Sequence, residues 1–71
     1  MSYQSGDILI SEFDGFVNDI YVIVEEAVNT HYKSYVVYSR EQDINLVYPE
    51  IYLLNTTVSG EEYRSKYGIK K

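Results

Sequence analysis

The chain has 71 residues, no cysteine, no tryptophan, one histidine and nine tyrosines, with a net charge of −5 and 45% hydrophobic residues. These values imply a single domain near the lower size limit for a self-supporting core, without a disulfide framework or a thiolate metal site, and with too much apolar content for a disordered chain. The charge is uneven: residues 1–60 hold nine acidic and two basic side chains, whereas residues 61–71 carry a net +2. An acidic body repels the phosphates that supply non-specific nucleic-acid affinity, so general DNA or RNA binding is disfavoured.

Residues 1–7 lack the basic and apolar regions of a signal peptide. The longest purely apolar run, Ile20–Val24, is far too short for a membrane span. The expectation is a cytoplasmic protein, in the host cytoplasm if viral, without a membrane partner.

Gly6-Asp7 opens a first strand over Ile8–Phe13, with Ile8 and Ile10 on one face and Leu9 and Phe13 on the other. Asp14-Gly15 is a turn dipeptide, because glycine accepts positive φ without steric cost. Phe16–Asp19 is assigned to the adjoining loop. The second strand is Ile20–Ala27, and Asn29-Thr30-His31 is the next hairpin connection, with Asn29 as its left-handed residue.

Tyr32–Ser39 forms a third strand rich in β-branched and aromatic residues. After the polar turn Arg40–Asp43, a fourth strand, Ile44–Tyr48, ends at Pro49, which cannot donate to a ladder. Glu50–Asn55 forms a fifth segment, either a strand or one 3₁₀ turn leading into one. Ser59-Gly60-Glu61-Glu62 is a capping box, so a two-turn helix is predicted over residues 60–67, with a Glu62–Lys66 pair and Gly68 as its terminating glycine. Tyr63 and Tyr67 share one face of that helix and are expected to dock on the strands.

Five short strands at this spacing in so short a chain imply a mainly all-β fold: a small five-stranded SH3-like barrel over residues 1–58, with a short capped helix and basic tail over 59–71. The runs Gly6-Asp7-Ile8-Leu9-Ile10, Tyr21–Glu26, Tyr35–Tyr38 and Tyr48–Leu54 are similar to those of small SH3-like barrel proteins of large tailed bacteriophages, over residues 6–55. This chain departs from that group in three places: Tyr38 stands where tryptophan is usual, the second strand lacks its leading glycine, and the final segment is shifted in spacing. The resemblance implies a barrel and a viral origin, and carries no common activity. The opening Gly6–Ile10 and Asp14-Gly15 also resemble KOW-type SH3-like domains, which bind RNA or RNA polymerase, although the basic residues of that opening are absent.

The chemistry-bearing residues are sparse. His31 has neither a nucleophile nor an orienting partner in its sequence context. Glu25 and Glu26 are adjacent on a strand and point to opposite faces. Asp14 and Asp19 lack calcium-loop spacing, and the four glycines at 6, 15, 60 and 68 make no phosphate loop. No enzyme, metal or cofactor is expected. Tyrosine combines a large apolar ring with a polar tip and suits contact surfaces. Phe16, Tyr38, Tyr48 and Tyr52 are the expected protein-binding set, on an interaction protein that modulates a host or viral protein. The alternatives are a self-associating virion or assembly component, a homo-oligomer, and a nucleic-acid or polymerase binder using Arg64, Lys66, Lys70 and Lys71.

Overall fold

The computed structural model describes residues 3–28 and 30–67. The elements are β1 (Ile8–Phe13), β2 (Phe16–Glu26), β3 (Ser34–Ser39), β4 (Ile44–Pro49), α1 (Glu50–Thr56), β5 (Thr57–Ser59) and α2 (Gly60–Tyr67). All strands join one antiparallel sheet in the order β4-β3-β2-β1-β5. The sheet is open: β4 and β5 are its two edges, so the barrel expected from the sequence is not closed by a ladder among the described residues.

The first hairpin is tighter than the sequence implied. Asp14 and Gly15 both have positive φ, +57° and +86°, the combination of a two-residue turn whose twist matches the flanking strands. Phe13 therefore pairs directly with Phe16, and Phe16–Asp19, expected as loop, belongs to β2. An extra residue on β2, between the Ser11–Asp19 and Glu12–Val17 pairs, re-aims the strand toward the hairpin tip.

Pro49 ends β4 as expected, but the chain then enters an α-helix, neither the strand nor the single 3₁₀ turn expected over Glu50–Asn55. Glu50–Thr56 makes two turns that bury only Leu53, and the fifth strand is displaced to Thr57–Ser59. Tyr52 is therefore a helical residue. The core consists of Leu9, Tyr21, Ile23, Tyr35, Val37 and Leu53, with Tyr3, Leu46 and Tyr48 packed against it. Register accounts for that set: Leu9 pairs with Tyr21, and Ile23 with Val37, so these side chains share one face of the sheet.

The capped helix forms where it was predicted. The Glu62 amide donates to Ser59 Oγ at 3.0 Å. Tyr63 donates to the Gly15 carbonyl at 3.2 Å and Tyr67 to Glu12 Oε1 at 3.1 Å, which ties α2 to the first hairpin. Lys66 reaches Glu12 at 3.9 Å, where the sequence reading paired it with Glu62. Asn29 and Gly68, expected as a left-handed turn residue and a helix-terminating glycine, lie outside the described residues. No helix among those described is long and apolar enough to cross a membrane.

Candidate functional site

Of the four expected contact residues, the fold brings two together. Tyr48, near the end of β4, and Tyr52, one turn into α1, stack with ring centroids 4.6 Å apart. Tyr21 meets Tyr48 edge-on at 5.6 Å, giving an aromatic strip that runs from the core outward. The strip forms because Pro49 switches the chain from strand to helix within one residue, which folds Tyr52 back over Tyr48. Tyr52 is 41% exposed and is flanked on α1 by exposed Ile51 and Leu54.

Burial, followed by the hydrogen bond shared with Tyr48, pushes the Tyr21 hydroxyl well above its ordinary pKa. The inner end of the strip therefore stays neutral, and it lies next to a carboxylate knot. Asp19 is buried and accepts from Ser39 Oγ at 2.5 Å, from the Glu41 amide at 2.9 Å and from the Ile20 amide at 2.7 Å. Asp19 is thus a structural acceptor that fastens the β3–β4 turn to β2.

The other two expected residues lie elsewhere. Tyr38 pairs with Val22 and Asn45, on the sheet face opposite Tyr35 and Val37. Its hydroxyl donates to the Asp43 carboxylate, which raises its pKa. Phe16 sits at the hairpin tip beside Phe13; the two are 76% and 73% exposed. Among the described residues Phe16 makes no ring contact with the tyrosine strip.

On the alternative set, Arg64 lines an open groove of about 710 Å³ between β1, β5 and α2, together with Tyr3, Asp7, Ile8, Ile10 and Tyr63. Lys66 is held between Glu12 and the Tyr67 ring, 5.3 Å from its centroid. Lys70 and Lys71 lie outside the described residues. The basic face is therefore mixed with acid at Asp7, Glu12 and Glu61.

Sequence reading missed Tyr21 as the inner member of the strip and missed the groove. Periodicity pointed to both, since Tyr21 alternates with Ile20 and Val22, and Tyr63 was expected to dock. The missing information was where α1 and α2 would fold back. No family model, no curated protein and no solved structure matches this chain.

Proposed function

We propose that this chain is a non-enzymatic interaction protein that grips a protein partner through the Tyr48–Tyr52 stack, which the buried Tyr21 backs from the core. The observation that carries the reading is the Tyr48–Tyr52 stack, half in the core and half in water, with Ile51 and Leu54 exposed beside it. Rigid tyrosine rings bring large contact area at low cost in rotamer entropy, and such anchors dominate binding when a pocket desolvates them. The strand order β4-β3-β2-β1-β5 with a short helix between β4 and β5 supports an SH3-like architecture that has opened along one seam. A viral origin, with action on a host or viral protein in the host cytoplasm, rests on the sequence resemblance alone.

The test is affinity capture from bacterial lysate with the tagged chain and with Tyr52→Ala, whose ring is exposed enough to remove without unfolding the sheet. Capture of one defined protein by the native chain, reduced tenfold or more by Tyr52→Ala, is the expected result. An unchanged set of captured proteins removes the strip as the site. A salt-sensitive gel shift with RNA, abolished by Arg64→Ala, would favour the nucleic-acid alternative instead.

A further inference from the structure

Both phenylalanines of the chain stand at one point: Phe13 and Phe16 face each other across the first turn and are 73% and 76% exposed. Facing residues of an antiparallel pair share a face of the sheet, so the two rings project together. The turn that carries them is fastened from the α2 side. The Gly15 amide donates to Glu12 Oε1 at 3.1 Å, and the Gly15 carbonyl accepts from Tyr63. Glu12 is held in turn by Tyr67 and Lys66. The rings are therefore displayed on a turn with little freedom left to lose on binding. Asp14, between them in sequence, makes no hydrogen bond or ion pair among the described residues.

The groove between β1, β5 and α2 lies at the other end of β1. Tyr3, Ile8, Ile10 and Tyr63 give it an apolar lining, and its volume of about 710 Å³ is in the range that encloses whole aromatic groups. Arg64 stands on its wall and likewise has no hydrogen-bond or ion-pair partner among the described residues. Of the two acids that line the groove, Asp7 is spent on the Gln4 amide at 2.8 Å, and Glu61 stays exposed. Ile8 and Phe13 are the two ends of β1, about 17 Å apart in an extended strand. A chain cannot place its own tip in its own groove.

We propose that the Phe13–Phe16 tip of one chain seats in the β1–β5–α2 groove of a second copy, with Asp14 against Arg64. The occupant follows from complementarity: the tip offers two apolar rings and one free anion, and the groove offers an apolar lining and one free cation. The contact is heterologous, so a pair still has one free tip and one free groove, and association continues head to tail. It uses neither Tyr48 nor Tyr52 and stands or falls apart from the partner reading above.

Sedimentation velocity of the full chain from about 1 μM to 1 mM tests it. Species that grow past the dimer with concentration are expected. Phe16→Ser and Arg64→Glu, both at exposed positions, should each raise the dissociation constant about tenfold or more while the far-UV spectrum stays unchanged. The decisive sample is their mixture. Arg64→Glu keeps a sound tip and Phe16→Ser a sound groove, so together they should form a one-to-one dimer and stop there. Asp14→Asn should weaken association and Glu61→Gln should strengthen it, because Glu61 opposes the incoming Asp14. A chain that stays monomeric to the highest concentration overturns the proposal, including one whose tip enters a lipid vesicle or a foreign protein instead. So does a native assembly that ends at the dimer, or a mixture no more associated than its two components.

Discussion

At Asp19 a single carboxylate joins three segments: it accepts from β2 at Ile20, from β3 at Ser39 and from the β3–β4 turn at Glu41. Asp19→Ala would orphan the Ser39 hydroxyl and the Glu41 amide, and should cost about 3 kcal/mol. Urea unfolding reads that as a lower midpoint at constant slope. Sequence reasoning placed Asp19 in a loop, because a buried carboxylate and an exposed one look identical until the partners in β3 are in place. Tyr21 carries a pH signature. Its hydroxyl is held above the ordinary value of 10.0, first by burial and then by Tyr48. The folded state therefore holds that proton more tightly than the unfolded one. The stabilisation is fully present below the unfolded value and is lost as pH rises above it. Melting temperature should fall from about pH 10 upward, and Tyr21→Phe should flatten that fall; an equally steep fall in the variant would show that another group is responsible.

Among the elements, those written in local signals were legible. β1, the Asp14-Gly15 turn, the Arg40–Asp43 turn and the Ser59 cap each depend on residues adjacent in sequence, and each formed where it was expected. The segment Glu50–Asn55 was not legible, since a short apolar run suits a strand or a helix equally and only the pocket that receives Leu53 decides. Leu53 is fully buried and is the only buried residue of α1. Leu53→Ala should cost about 3 kcal/mol. That lowers the melting temperature by roughly 12–24 °C in a domain of this size. The first turn makes the opposite kind of demand, for backbone and not for volume. Gly15→Ala would force a side chain into φ +86° and bring its Cβ to 3.4 Å from the Tyr67 ring, at a cost of about 1–2 kcal/mol. Loosened packing of α2 on the hairpin would appear as faster exchange of its amides.

Over the whole molecule, the sequence yielded a mainly β chain of five strands with a capped final helix, but not the open edge. Whether a sheet closes depends on accumulated twist and on where α1 lies, and neither is visible in alternation. The candidate site was half legible for the same reason. Tyr48 and Tyr52 are close in sequence and stack, whereas Phe16 and Tyr38, expected in the same set, lie at the hairpin tip and on the opposite face of the sheet. α2 buries none of its residues fully and is held by Tyr63, Tyr67 and Lys66. Ending the chain after residue 59 should therefore leave the far-UV strand signal in place and lower the melting temperature. Loss of all cooperative unfolding would show that α2 is integral to the fold.

The ladder between β1 and β5 has a consequence in time. It joins Leu9 to Ser59 and Ser11 to Thr57, whereas the hairpins of β1 through β4 connect neighbours along the chain. The meander can assemble by successive local closures within microseconds each. Pairing β5 requires that the whole meander first hold β1 in place, because the entropy of so large a loop is lost before three residue pairs return anything. The last strand is thus the last to arrive and the first to leave. In a nascent chain in which β1 still waits for β5, the edge opposite β4 is the six-residue β1 in place of the three-residue β5.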